Sequence, residues 1–298
     1  MSDQADKAKL LRSLHIPGAP LVLPNAWDVG SARAVVDAGF PVVATASNAI
    51  AAALGYDDGE GAPSEEMMFV AQRIAASVDV PVTVDAEAGY GMAPEELVEL
   101  LSGIGVVGCN IEDSDHANGG LIDVDVRATY IAQMRAAADR IGVPLVINAR
   151  IDSFFPTSPL AENQKRADAI SRAEAYWSAG ADCVFPPGAG PDDLRAIVAE
   201  VGAPVNAGLP LKRGSLDEFR AIGVARVSVG PPAVPQRTRP PAHRSPASLR
   251  GMEVTDQLDL SHKPTLHGDF VDSCRAGGRP AHGRCRVCDL AGALTGFA

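Results

Sequence analysis

One unit repeats through the first 230 residues, and it restricts the fold more than any other feature. A short apolar run rich in Val and Ile ends in polar residues or glycine, and an amphipathic, Ala-rich stretch follows. The runs are LVLPN (21–25), PVVATAS (41–47), PVTVD (81–85), VVGCNIE (106–112), PLVINAR (144–150), DCVFPP (182–187), PVNAG (204–208) and RVSVG (226–230). Between them lie helix candidates near 29–38, 64–77, 94–102, 124–140, 161–179, 191–200 and 215–222. Gly39, Gly180 and Gly223 stand where helices end in a left-handed cap. Pro63 and Pro94, each followed closely by Glu, mark helix openings. Strands separated by helices pair in parallel through right-handed crossovers.

Eight such units predict an α/β fold of the (β/α)8 TIM-barrel type over residues 1–230, with an open doubly wound sheet as the alternative. The length of 298 residues suits one large domain or two small ones. With 46% hydrophobic but only 5% aromatic residues, the core must be large and mainly aliphatic. A net charge of −11 argues against nucleic-acid binding. No apolar run reaches the ~18 residues of a membrane span. MSDQADKAKLLRSL carries acids early and has no apolar signal core, which predicts a short N-terminal helix of a cytoplasmic protein. The five cysteines are an odd set without a secretory context, so a disulfide framework is not expected.

The pattern breaks after RVSVGPP. Residues 231–298 hold 8 of the 23 Pro, 4 of the 6 His and 3 of the 5 Cys, and carry a net charge of +3 against −14 for residues 1–230. No helical period survives there beyond one turn or two, the best candidate being near 251–260, so an atypical tail replaces the expected eighth helix. Two expectations fit it: a disordered segment, or an off-frame product of a shifted reading frame. Cys274, His282, Cys285 and Cys288 also allow a zinc reading, at an unusual spacing.

In barrels of this kind the active site lies at the carboxyl ends of the strands. The polar residues expected there are Asn25 and Asp28 around Trp27, then Thr45, Ser47 and Asn48 with Asp57 and Asp58, then Asp85 and Glu87. Glu112 and Asp113 follow, then Asn148, Arg150 and Asp152, and finally Asn206. Each has a structural alternative: a helix cap or ion pair for Asp85, a solvated loop pair for Glu112 and Asp113, an ion-pair role for Arg150, loop hydrogen bonding for Asn25 and Asn206. What favours function is that separate strands place acids at one end. Crowded carboxylates raise each other's pKa unless a cation intervenes. Hard oxygen ligands without a nearby His or Cys pair point to Mg²⁺, or Mn²⁺, rather than zinc. Asp85 and Glu87, at i and i+2, share a face if the strand continues. Arg150 suits bidentate capture of a substrate carboxylate.

Seven stretches, PNAWDVGSARAVVDAGF, ATASNAIAAALGYDDGE, PVTVDAEAGYG, GCNIEDS, NARIDSF, RAEAYWSAGADCVF and GVARVSVG, span about residues 20–230. Together they resemble the isocitrate lyase/phosphoenolpyruvate mutase superfamily, and most of all its mutase-like members that lack the lyase cysteine loop. The resemblance implies a (β/α)8 barrel acting on small 2-oxo or 2-hydroxy acids through a Mg²⁺-bound enolate. It implies that Asp85 binds the metal most directly, that Glu87 and Glu112 hold metal waters, and that Asp58 lies nearby. Ser47, Asn48 and Ala49 match a loop that grips the substrate's carboxylate or phosphoryl end, Trp27 an aromatic lining the pocket, and Arg150 the cation stabilising the reacting oxygen. A homo-oligomer is implied too, through helices that the tail does not spell out.

The departures matter. The loop after the fourth strand reads EDSDHANGGLIDVD, with neither the Cys nor the Lys of the lyases and without the Lys of the mutases. Cys109 lies on the strand itself and reads as a small core residue. Within the loop, His116 is the candidate acid/base, since its ordinary pKa is near neutral. The expected activity is carbon–carbon cleavage yielding pyruvate or a relative. The alternatives are C–P chemistry of the phosphoenolpyruvate mutase or phosphonopyruvate hydrolase type, and a non-catalytic barrel that binds a metal and a carboxylate.

Overall fold

The computed structural model describes residues 2–209 and 215–230. The expected tail, its zinc reading and the missing eighth helix lie outside those residues. Strands β1 (Leu21–Ala26), β2 (Val43–Thr45), β3 (Val82–Asp85), β4 (Gly108–Glu112), β5 (Val146–Arg150), β6 (Cys183–Phe185), β7 (Asn206–Gly208) and β8 (Arg226–Val229) all pair in parallel. Their order is β6-β5-β4-β3-β2-β1-β8-β7. A parallel bridge between Val184 and Val205 joins the two ends, so the sheet closes on itself and the open-sheet alternative falls.

The helices are α1 (Ser2–Ser13), α2 (Val29–Asp37), α3 (Ser47–Leu54), α4 (Ser64–Ala75), α5 (Pro94–Gly103), α6 (Val124–Ile141), α7 (Glu162–Ser178), α8 (Pro191–Val201) and α9 (Leu216–Ile222). Their ends are set locally. The Asp28 carboxylate accepts from the Ser31 N–H at 2.6 Å and starts α2. Asp123 starts α6 in the same way, and proline opens α5 and α8. One expectation needs correction: Ser47, Asn48 and Ala49 are the first turn of helix α3, not part of a loop. The alanine-rich stretch after Ser47 has enough helix propensity to extend the chain directly from β2 into a helix.

Alternation along the strands sorts the core into two shells. Val82, Val84, Cys109, Ile111, Ile147, Ala149, Val184 and Val227 belong to the cluster that packs strands against helices. Residues of the opposite parity fill the barrel. At its amino-terminal end they are apolar: Leu21, Leu23, Val42, Ala44 and Val146 meet Ala8 and Leu11, so α1 plugs the barrel floor. Further up they become polar, with Asn110, Asn148, Asn206 and Arg226 all buried. The carboxyl ends carry the acids.

His15, just after α1, sits under this floor with Nδ1 2.8 Å from the Leu11 carbonyl oxygen. Burial, then the charge of Arg226, lower its pKa to about 4 from 6.5. The folded state therefore resists protonation that the unfolded chain accepts. The stability linked to His15 is present above pH 6.5 and is lost as pH falls to 4, about 3 kcal/mol over the window. Denaturant titrations across that range should show a shallower loss in His15→Gln. Equal slopes in the two proteins would rule this out.

Candidate active site

Three strand ends bring the charged residues together. In the β4–β5 register Glu112 lies opposite Arg150, and in the β3–β4 register Asp85 lies opposite Asn110. Arg150 is held on three sides. Its Nη1 is 2.5 Å from Glu112 Oε2, its Nε donates to Asp152 Oδ1 at 2.7 Å, and its guanidinium carbon lies 4.6 Å from the centre of the Phe155 ring. The Glu112 contact is a close ion pair without a well-aligned hydrogen bond, and Oε2 has no hydrogen-bond partner. Glu112 Oε1 is 2.7 Å from His116 Nε2. That hydrogen bond raises the pKa of His116, so the imidazole tends to carry the proton at Nε2.

A second group converges from β2 and β3. Asp85 Oδ2 accepts from the Ser47 hydroxyl at 2.8 Å, and the Asp85 N–H donates to Thr45 Oγ1 at 3.0 Å. The Ser47 hydroxyl also lies 3.3 Å from Asp58 Oδ1. Glu87 arrives differently from the expectation of a shared strand face. β3 stops at Asp85, and Glu87 has a φ of 48°, in the left-handed region. A turn, not strand alternation, presents its carboxylate. Its two oxygens are held by the Tyr90 hydroxyl at 2.7 Å and by the Glu60 N–H. Holding a non-glycine residue there costs on the order of 1 kcal/mol or more, which the two hydrogen bonds offset.

Ser47, Asp58, Glu87, Glu112, His116 and Arg150 line one cavity of about 370 Å³. Three of its acids resist ionisation. Burial pushes Glu87 up to about 7 and also raises Glu112, while burial and the charge of Asp85 raise Asp58. Asp85 Oδ1 is buried without a hydrogen-bond partner. Carboxylates outnumber the cations of this lining, where Arg150 is already paired with Glu112 and Asp152, and carboxylate and hydroxyl oxygens are hard donors, which suits a divalent cation. No three His, Cys, Asp or Glu side chains among the described residues stand close enough to form an all-protein cage. A cation here would therefore take few direct carboxylates and keep several waters, as Mg²⁺ does.

The other expected residues fall at the margin or outside. Asn48 is exposed on α3 and Ala49 is buried there. Their N–H groups belong to the first helical turn, which has no intrahelical acceptor. Trp27 is half-buried against Ile50, Ala51, Ala62 and Met67, beside the cavity and not on its wall. Asn206 requires correction. It opens β7 instead of ending it, is fully buried, and donates to Ser228 Oγ at 3.1 Å inside the barrel, so it does not line this cavity.

Two acids that the sequence placed at this rim without a specific role, Asp113 and Asp152, also shape the site. Asp152, fully buried, bonds Arg150 and accepts from the Ser114 hydroxyl at 2.5 Å. The Asp152 N–H donates to Asp113 Oδ1 at 2.8 Å. Asp113 Oδ2 in turn accepts from Tyr176 at 2.8 Å and Arg172 at 3.1 Å. This strut runs from α7 to Arg150. The Arg-x-Asp spacing of Arg150 and Asp152 was its one visible trace in the sequence. The partners on α7 lie 59 and 63 residues away from Asp113 and carry no local signal.

Comparison with known proteins bears on this arrangement. The family model for phosphoenolpyruvate phosphomutase matches residues 11–239. The chain is 34% identical to an uncharacterized protein of Mycobacterium tuberculosis over 218 residues, covering 73% of this chain and 80% of that one. It is 30% identical to an oxaloacetate decarboxylase of Rhodopseudomonas palustris over 273 residues, covering 88% and 91%. Among solved structures, a "putative phosphonomutase" from Burkholderia cenocepacia aligns with a TM-score of 0.71 at 46% identity, over 76% of this chain and 93% of that one. Because the family match runs through every strand from β1 to β8, the protein belongs to the phosphoenolpyruvate mutase/isocitrate lyase superfamily and is an enzyme of the lyase or mutase type.

Proposed function

We propose that this enzyme is a Mg²⁺-dependent lyase that breaks a carbon–carbon bond in a small 2-oxo or 2-hydroxy acid, releasing pyruvate or a close relative. The observation that carries this reading is the cavity itself, which faces Arg150 and His116 against a wall of acids with raised pKa values. In the proposed arrangement Asp85 binds the cation most directly, with Glu87, Glu112 and Asp58 acting through its waters. Mn²⁺ suits the same oxygen donors. Bound there, the cation would act as a Lewis acid towards the 2-oxo oxygen of the substrate.

The chain's own groups do the rest. The Ser47 hydroxyl and the first-turn N–H groups of Asn48 and Ala49 bind the substrate carboxylate at the positive end of the α3 dipole. Trp27 supports that helix from behind. Arg150, fixed by Glu112, Asp152 and Phe155, meets the negative charge that develops on the substrate oxygen as the bond breaks. His116 holds a proton at Nε2 against Glu112 and is the group that can return it to the carbon left behind. A decarboxylation needs only that one proton, so a loop with a single acid suffices. A Ser114–Leu121 bridge keeps this loop short.

Purified protein incubated with oxaloacetate and a panel of related 2-hydroxy diacids and triacids should release pyruvate or a relative only when Mg²⁺ or Mn²⁺ is present. If Mg²⁺ and oxalate bind but no acid in the panel turns over, the lyase reading is wrong. The second reading is C–P chemistry, favoured by the similarity to the Burkholderia protein. Phosphate release from phosphonopyruvate would establish it instead.

A further inference from the structure

Inside the barrel, beneath the acids, lies a cation for which the proposed chemistry has no use. Arg226 opens β8, is 1% exposed, and belongs to the inward-facing set. Its Nη2 donates to Asn110 Oδ1 at 3.1 Å, while Nε and Nη1 are buried with no hydrogen-bond partner. No carboxylate among the described residues forms an ion pair with it. A buried guanidinium left in this state is costly, by several kcal/mol in general, so other groups must compensate it.

Other polar groups of the strands share its state. Asn148 Oδ1, Asn206 Oδ1, Thr83 Oγ1 and Asp85 Oδ1 are also buried without partners. Asn206 pairs with Arg226 in the β7–β8 register. Asn110, which receives the Arg226 hydrogen bond, pairs with Asn148 on one side and with Asp85 on the other. The Arg226 head group therefore borders the residue next to Asp85. The unpartnered groups are donors on Arg226 but acceptors on the amides and on Asp85. An anion would be repelled by those oxygens, whereas water donates and accepts and satisfies both sides.

We propose that Arg226 is a positioning residue, a buried counter-cation linked to Asp85 by ordered water held between Asn148, Asn206 and Thr83. Its fixed charge offsets the acidic wall from inside the barrel. This rests on the reading that Asp85 holds the divalent cation. In a core of low dielectric such a charge acts on both ligands with opposite sign, weakening the grip on the cation and strengthening that on an anionic substrate.

Calorimetry on the full chain tests it, with Mg²⁺ alone and then with oxalate at saturating Mg²⁺. In Arg226→Met, Mg²⁺ should bind about threefold tighter or more, and oxalate weaker by a similar factor. Arg226→Gln keeps hydrogen bonding but not charge, and should shift both affinities in the same directions. If both affinities weaken together, or neither moves while the wild type still binds, this inference falls and the proposed function stands. If the wild type binds no divalent cation, both fall. Should the variants fail to fold, a high-resolution crystal structure of the wild type decides. Ordered waters on Nε and Nη1 support the proposal, and a dry core or a bound anion there overturns it.

Discussion

Arg150→Lys is expected to lower kcat for the proposed cleavage by about 10²–10³-fold, the usual cost of losing a group aimed at a developing oxyanion. The positive charge survives in this variant, but the geometry does not. Arg150 bridges Glu112 and Asp152 with different nitrogens and stacks its planar face on Phe155. A lysine ammonium is a compact point charge that can neither span both carboxylates nor stack. The Kd for Mg²⁺ should change little, because the proposed metal acids remain. Steady-state kinetics on whichever acid releases pyruvate, with a melting curve as a check on folding, measures this. A variant with wild-type kcat would remove Arg150 from the chemistry.

Asp113→Ala should be the most destabilising single change near the site, by about 3–5 kcal/mol, because it breaks a buried charge network. The side chain is fully buried and accepts from the Asp152 N–H, the Tyr176 hydroxyl and Arg172. Its removal leaves Arg172 with Asp168 as its one ion-pair partner among the described residues and takes away the acceptor of the Tyr176 hydroxyl proton. In a domain of this size the melting temperature should fall by about 10 °C. Asp115→Ala is the control. Asp115 is half-buried, has its hydrogen bonds within its own loop, and should cost less than about 1 kcal/mol. If the two variants melt within a degree or two of each other, the strut does not carry the load assigned to it.

How much of this was visible in the sequence follows from the range of each interaction. The strands, the helices and most helix ends depend on contacts within a few residues, such as the capping of α2 by Asp28 and Ser31. The rim acids could be read because a barrel strand always ends at the same rim. Asn206 was misplaced because PVNAG gives no sign of where the strand begins, and β7 starts two residues later than its first apolar residue. Glu87 was assigned to the right rim for the wrong reason. The periodicity of an extended chain stops at Asp85, and the turn that follows depends on Glu60 and Tyr90, one of them 27 residues away.

By itself the sequence determined the repeating strand–helix order, the aliphatic core and the rim at which acids collect, because periodicity and capping are local. The tertiary structure alone decided that Arg150 is clamped by Glu112 and Asp152, that Asp113 is braced from α7, and that Arg226 reaches Asn110 across the barrel but forms no ion pair among the described residues. Those contacts join residues up to 116 positions apart. They arise when the strands pair and the sheet closes, which withdraws the charges from water, and no local pattern encodes which buried groups will then face one another.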